Sequence, residues 1–142
     1  MILPDVNVLV YAYREDAPKH ERYRHWLGDV LAGGAAYGMS DLVLAGFLRV
    51  VTDPRVFVPP SPIGHALEFA EALRNHPNCV LTVPGQRHWE IFTRLCRDAR
   101  AKGNLVPDAY FAALAIESGS EWMTSDRDYS RFPGLRWRDP GA

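Results

Sequence analysis

Apolar residues are arranged in two alternating patterns along the chain. Short, nearly continuous apolar runs predict β-strands at 1–4, 35–39, 79–83, 121–126 and 134–137. Apolar residues at helical spacing predict helices that follow residue 5 and cover 18–32, 40–51, 63–75, 85–103 and 107–119. Because strands alternate with helices, we expect an α/β fold: a three-layer α/β/α domain around a central parallel sheet of four or five strands.

Local signals agree with several of these boundaries. Ser40 precedes the helix at 41–51 as a candidate N-cap, and Pro107 suits the first turn of an alanine-rich helix. In the helix at 85–103 we expect a core-facing stripe that includes Trp89 and Leu95. No repeat, low-complexity run or linker interrupts the chain, so residues 1–142 are predicted to form a single domain.

Composition indicates an ordinary globular protein. Hydrophobic residues make up 47% of the chain and charged residues 23%. No apolar run approaches the ~20 residues of a membrane span, and the N-terminus has no signal-peptide pattern. Cys79 and Cys96 lack zinc-site spacing. We therefore expect a cytoplasmic protein with no membrane association.

Four aspartates stand out by position. Asp5 and Asp41 lie just past predicted strands and Asp126 ends one, and the carboxyl ends of strands form the ligand-binding edge of open α/β sheets. Asp108 lies in the first turn of the alanine-rich helix, where the helix dipole favours an anion. Taken singly, each aspartate could cap a helix N-terminus or lie in a solvent-exposed turn. Together they would repel one another unless a cation neutralised them, and an all-oxygen cluster selects Mg²⁺, with Mn²⁺ as a substitute.

Longer motifs point to a family. The segments DVNVLVYA, SDLVLAGFLRVVTDPRVF, NLVPDAYFAALAIESG and TSDRDYSRFPGLRW together span most of the chain. In these motifs the chain resembles the PIN-domain toxins of VapBC toxin–antitoxin systems, especially the mycobacterial-type subgroup. The resemblance implies an Mg²⁺-dependent endoribonuclease, the toxin of a type II system, that hydrolyses RNA with metal-activated water. It also implies a homodimer and a cognate VapB-type antitoxin whose C-terminal segment enters the active site.

The resemblance also assigns site residues. It implies that Asp5, Asp108 and Asp126 are the metal ligands and catalytic acids. Asn7 is expected to orient Asp5 or a bound water. The full set of expected supporting residues, which hydrogen-bond carboxylates or substrate or assist the acids, is Asn7, Thr124, Ser125 and Asp128.

The second acid of the family pattern is missing. Many members carry Glu six residues after the serine of the second motif, where this chain has Gly46. Asp41 lies five residues earlier, roughly 140° around an ideal helix, and so cannot directly replace that Glu. We expect Asp41 to reach the acidic pocket from the helix N-terminus and include it among the catalytic residues. Gly46 either leaves room near the site or permits close helix packing.

Weaker expectations concern substrate and partners. Outside the four aspartates and Asp128, basic residues outnumber acidic ones, which suits a phosphate substrate. Arg14 and Arg49 are candidates to bind RNA phosphates, with a solvated helix face as the alternative for each. Val56 and Phe57 are candidates for a dimer or antitoxin contact.

Two other functions stay open. A non-catalytic PIN-fold binding module would fit the loss of the second acid at Gly46. A phosphatase of the haloacid-dehalogenase kind also has Asp at the end of its first strand. That class needs a second acid where this chain has Asn7, and a positioned lysine that only Lys19 or Lys102 could supply.

Overall fold

The central sheet has five parallel strands. The computed structural model describes all residues from Met1 to Ala142. The sheet has the order β3-β2-β1-β4-β5, and every neighbouring pair is parallel. Its strands are Ile2–Pro4 (β1), Tyr37–Met39 (β2), Cys79–Leu81 (β3), Glu121–Met123 (β4) and Trp137–Arg138 (β5). The expected parallel sheet is confirmed, and the fifth strand is present.

Six α-helices and one 3-10 helix connect the strands. They are Val6–Tyr13 (α1), His20–Ala32 (α2), Asp41–Val51 (α3), Ile63–Arg74 (α4), His88–Asp98 (α5), Leu105–Glu117 (α6) and the 3-10 helix Arg127–Arg131. Helix α5 ends earlier than expected because Arg100 adopts a left-handed conformation with φ of 50°, and the Ala101 N–H returns to the Cys96 carbonyl at 2.9 Å. No helix is both long enough and apolar enough to cross a membrane.

The helices form two layers. The chain moves from β1 to β2 to β3 in one direction along the sheet and then crosses back to β4. Right-handed crossovers therefore place α1–α4 on one face and α5–α6 on the other. Helix α1 packs on α2 and α3, α3 packs on α4, and α5 packs on α6. The three-layer α/β/α prediction is confirmed.

The core lies between the sheet and these helices. Leu3 of β1 and Trp122 of β4 are fully buried, as are Phe47 and Leu95 from opposite helix layers. The expectation for Trp89 is wrong, because its side chain is 69% exposed. His88, Ile91 and Leu95 are the buried residues of α5, so its inward face excludes Trp89.

Register places the ends of β1 and β4 side by side. Pro4 is paired with Met123, and the Asp5 N–H donates to the Met123 carbonyl at 2.9 Å. The segments that follow these two strands therefore begin next to each other at the carboxyl edge of the sheet.

Candidate active site

Asp5 is both the N-cap of α1 and one of the acids of the candidate site. It lies between β1 and α1, and its side chain accepts a hydrogen bond from the Val6 N–H at 2.6 Å. Its other oxygen, Oδ2, accepts a hydrogen bond from the Thr124 hydroxyl at 2.7 Å. The residue is only 7% exposed. The N-cap interpretation and the functional interpretation of Asp5 therefore describe the same carboxylate.

Thr124 connects the loops after β1 and β4. Its buried hydroxyl donates to Asp5 and accepts from the Asn7 amide at 3.3 Å and from the Asp126 N–H at 3.0 Å. The Asn7 Oδ1 in turn accepts from the Ser125 N–H at 3.3 Å. This network fixes Asp5 and Asp126 relative to each other, and Asn7 contacts Thr124 and Ser125.

Asp126 is the N-cap of the 3-10 helix. Its Oδ1 accepts a hydrogen bond from the Asp128 N–H at 2.9 Å, which leaves Oδ2 without a partner in the protein. Asp128 is exposed at the rim of the site. Asp126 therefore lines the site. The Asp128 side chain does not line it, but the Asp128 backbone N–H holds the Asp126 carboxylate.

Asp108 is held by a tyrosine that the sequence did not single out. Asp108 lies in the first turn of α6, and its Oδ1 accepts a hydrogen bond from the Tyr129 hydroxyl at 3.2 Å. Tyr129 is buried and follows Asp126 by three residues in the 3-10 helix. Residues three apart lie on the same side of a 3-10 helix, so the spacing from Asp126 was the only sequence signal that Tyr129 belongs to the site.

Electrostatics favour a cation among these acids. Burial raises the pKa of Asp5 to about 6, with repulsion from Asp108 and Asp126 adding to it and hydrogen bonds from Thr124 and Val6 opposing it. Burial, and then the negative charge of Asp126, also raises the pKa of Asp108. Burial and the neighbouring carboxylates raise the pKa of Tyr129. None of the seven ion pairs in the protein involves Asp5, Asp108 or Asp126, so no side chain neutralises them.

A cavity of about 410 Å³ contains the three acids. Its lining comprises Asp5, Val6, Asn7, Val10, Tyr11, Gly46, Arg49, Val50, Val56, Phe57, Asp108, Phe111, Asp126 and Tyr129. Arg49 is exposed at this cavity and forms no ion pair. Another cavity of the same volume lies at the amino ends of the strands, lined by residues such as Met1 and Tyr37, and it contains none of the three acids.

Asp41 is not in this cavity, which corrects the expected role. Its exposed carboxylate accepts hydrogen bonds from the Arg74 Nε at 2.7 Å and from a terminal guanidinium nitrogen at 3.2 Å. These hydrogen bonds lower the pKa of Asp41. The geometry explains the error, since Gly46 lines the cavity and Asp41 lies roughly 140° around α3 from it.

Gly46 allows α3 to pack closely on α1. A Cβ built on it would lie 2.8 Å from Cγ2 of Val6, the first residue of α1. Of the two explanations offered by the sequence, close packing of α3 on α1 is the one this contact supports. A glutamate at this position would have to displace the stiff, β-branched Val6 side chain.

Arg14 is also outside the acidic cavity. Its guanidinium pairs with Asp16 at 2.7 Å, donates to the Ser61 hydroxyl and the Pro59 carbonyl at 3.0 Å each, and lies 4.4 Å from the centroid of the Phe57 ring. These contacts attach the loop after α3 to the end of α1. Arg14 therefore holds the loop after α3 in place. Of the two candidate arginines, only Arg49 lines the cavity.

The donors present fit a hard divalent cation. They are all carboxylate oxygens, they line one cavity, and none of them forms an ion pair. No group of three or more acidic, histidine or cysteine side chains is arranged in the structure so that it could hold a metal ion by itself. Mg²⁺ does not need such a group, because it keeps several waters and is usually held by one or two carboxylates together with substrate phosphate. Asp5, Asp108 and Asp126 are the residues that would hold it.

Comparison with known proteins gives a consistent family. The PIN domain model matches residues 2–135. The chain is 44% identical over 140 residues to VapC ribonuclease Mb2897 of Mycobacterium bovis, covering 99% of this chain and 95% of the relative. It is 41% identical over 136 residues to Ribonuclease VapC25 of Mycobacterium tuberculosis, covering 96% of each.

Solved structures agree on the fold. VapBC2 from Rickettsia felis, bound to a DNA fragment from its promoter, superposes with a TM-score of 0.72 at 18% identity and 98% coverage of both chains. Mycobacterium tuberculosis VapC20, described as a sarcin-ricin loop cleaving toxin, gives 0.66 at 16% identity, covering 96% of this chain and 99% of that one.

Proposed function

We propose that this chain hydrolyses RNA in its acidic cavity, because it belongs to the PIN-domain family and to its VapC ribonucleases. The protein is a ribonuclease toxin of the VapBC type, and its three acids supply the catalytic centre. The observation that carries this proposal is the convergence of Asp5, Asp108 and Asp126 in one cavity, where none of them forms an ion pair.

Two hydroxyl groups hold the three acids in place. Thr124 holds the Asp5 carboxylate and the Asp126 backbone through one hydroxyl, and Tyr129 holds Asp108. A bound Mg²⁺ would neutralise these carboxylates, polarise a phosphoryl oxygen and lower the pKa of a coordinated water. We propose Mg²⁺ as the cofactor, with Mn²⁺ able to replace it, because both suit oxygen-only ligands.

The products follow from attack by water. One phosphorus–oxygen bond forms to the water oxygen and another breaks, so one fragment carries a phosphate monoester and the other a hydroxyl. The RNA 2′-hydroxyl is not the nucleophile, and no 2′,3′-cyclic phosphate is expected. Arg49, exposed at the cavity without an ion pair, is placed to contact a substrate phosphate.

The test is cleavage of total cellular RNA by the purified protein with Mg²⁺ or with EDTA. Asp108→Asn should reduce the Mg²⁺-dependent rate by at least ~100-fold, since even partners outside the metal's direct ligands cost 10–100-fold. Asp41→Asn makes the same chemical change at an acid outside the cavity and should cleave like the wild type. A folded Asp108→Asn variant with the wild-type rate would refute the assigned role.

The proposed partners follow from complexes that share this fold. Similar folds occur in VapBC complexes, including VapBC-1 from nontypeable Haemophilus influenzae, which gives a TM-score of 0.69 at 17% identity. We propose that a VapB-type antitoxin silences this chain by entering the acidic cavity, and that the chain forms a homodimer. Light scattering of the purified chain, alone and with an antitoxin, tests both points, and a monomer that binds no antitoxin would contradict them.

The other two functions find less support. Membership of the PIN-domain family leaves no basis for a haloacid-dehalogenase phosphatase. The binding-module hypothesis rested on Gly46, which stands where many family members have Glu. Close packing against Val6 explains the glycine, and the other three acids are present in the cavity. Mg²⁺-dependent cleavage that Asp108→Asn abolishes would exclude a purely binding role.

A further inference from the structure

The acidic cavity also has an apolar lining that hydrolysis does not use. It includes Val10 and Tyr11 from α1, Val50 from α3, and Val56 and Phe57 from the loop after α3. We call these five residues the apolar wall. The wall and the three acids share one cavity of about 410 Å³, a volume within the range of small-ligand pockets.

The aromatic part of this wall is held in place before any ligand arrives. The Arg14 guanidinium covers the Phe57 ring at 4.4 Å and donates to the Pro59 carbonyl and the Ser61 hydroxyl. The Ser61 N–H also donates to the Val51 carbonyl at 2.8 Å. These bonds attach the loop on the C-terminal side of Phe57, and the Phe57 N–H donates to the Asp53 carbonyl at 3.0 Å. A ligand binding at Phe57 would therefore not have to order the loop.

The neighbouring groups indicate the chemistry of the occupant. A substrate phosphate at Asp5, Asp108 and Asp126 would carry its nearest base into the same cavity. Arg49 lies at that cavity without an ion pair and is free to contact a phosphate. Unpaired bases of single-stranded nucleic acid stack on aromatic side chains, because every base has a π-face. The combination of acids, one cation and an aromatic wall suits a nucleotide better than a purely apolar peptide side chain.

We propose that the apolar wall binds one unstacked nucleobase of single-stranded RNA next to the hydrolysed phosphate, with Phe57 as its main contact. This proposal rests on the proposed ribonuclease function. Phe57 is then a substrate-binding residue, and Arg14 is a positioning residue that acts through Phe57. Because the wall reads a ring face, it senses whether a base is present more than which base it is.

The experiment measures KM and kcat on a short RNA that contains the mapped cleavage site. A matched RNA has an abasic residue on one side of the cut phosphate, and a second has it on the other side. The variants are Phe57→Ala, Phe57→Tyr, which keeps the ring, and Val58→Ala as control. Val58 is next in the loop, is 83% exposed and does not line the cavity.

The proposal predicts coupling between Phe57 and one base. Phe57→Ala should raise KM for the intact RNA by ~10-fold with kcat unchanged, the sign of lost binding common to substrate and transition state. For the wild type, one of the two abasic RNAs should raise KM as much as Phe57→Ala does on the intact RNA. For Phe57→Ala, the same abasic RNA should have the same KM as the intact RNA. Phe57→Tyr and Val58→Ala should behave like the wild type, and Mg²⁺ affinity should be the same in all four proteins.

Other results overturn the proposal. Equal effects of Phe57→Ala on intact and both abasic RNAs would show that the ring contacts no base. An unchanged KM together with weaker antitoxin binding would make the wall a protein contact. A wild type that never cleaves RNA would overturn the ribonuclease function itself, whereas a cleaving wild type whose KM ignores Phe57 overturns the base site alone.

Discussion

Asp5 should destabilise the metal-free protein at neutral pH, and Asp5→Asn should remove that cost. Burial raises the pKa of Asp5 from 3.8 to about 6 in the folded protein. A raised carboxyl pKa means that the folded state binds the proton more tightly than the unfolded state. The contribution to stability is therefore complete below about pH 4 and is lost as the pH rises to about 6.

The size of this effect follows from the shift. A difference of roughly two pKa units corresponds to about 3 kcal/mol at neutral pH, because one unit is 1.36 kcal/mol. About 1 kcal/mol of that cost is already present at pH 4.5, so about 2 kcal/mol should develop between pH 4.5 and 7.5. Asparagine keeps an acceptor for the Val6 N–H but loses the bond from Thr124, which offsets part of the gain at every pH.

The assay is urea unfolding of the metal-free proteins at pH 4.5 and 7.5. We expect the free energy of unfolding of Asp5→Asn, relative to the wild type, to increase by about 2 kcal/mol between the lower and the higher pH. Asp128→Asn makes the same change at an exposed rim position and should show no comparable increase. Equal differences at both pH values would refute the claim that burial strains the Asp5 carboxylate.

Three further predictions test the site and its packing. Tyr129→Phe removes the hydroxyl that holds Asp108 and should weaken Mg²⁺ binding by ~10-fold in calorimetry while leaving the fold intact; unchanged affinity would contradict this role. Gly46→Ala should lower the free energy of unfolding by about 1 kcal/mol, because the clash with Val6 exceeds the gain in helix propensity. In a Val6→Ala background the same change should stabilise the protein by up to ~1 kcal/mol, and a destabilisation there would exclude this clash as the cause. Asp41→Asn should leave the RNA cleavage rate unchanged, and a large loss would return Asp41 to the catalytic residues.

The sheet and its acidic edge could be predicted because they depend on local pattern. Apolar runs gave all five strands, and parallel strands bring the residues after them to one edge whatever the details of packing. Asp5 and Asp126 follow adjacent strands and therefore meet. The Ser40 cap was predictable for the same reason, since its hydrogen bond to the Leu42 N–H is local.

The errors arose where a contact depends on the rotation of a helix or on a distant residue. Asp41 points to Arg74, which lies in the next helix and has no sequence relation to it. Arg14 is fixed by a loop more than forty residues away. Tyr129 reaches Asp108 only because the 3-10 helix packs on α6. Periodicity gives the spacing of residues on one helix, but it does not give which neighbour each face will meet.

The most direct test of the central claim is to measure Mg²⁺ binding and RNA cleavage in the same buffer over a series of Mg²⁺ concentrations. We expect the half-maximal rate to fall at the Mg²⁺ concentration that half-saturates the protein, and we expect Asp126→Asn to move both values upward together. The fragments should carry no 2′,3′-cyclic phosphate. Cleavage that continues in EDTA, or Mg²⁺ binding that is unchanged by Asp126→Asn, would contradict a metal-dependent ribonuclease built on these three acids.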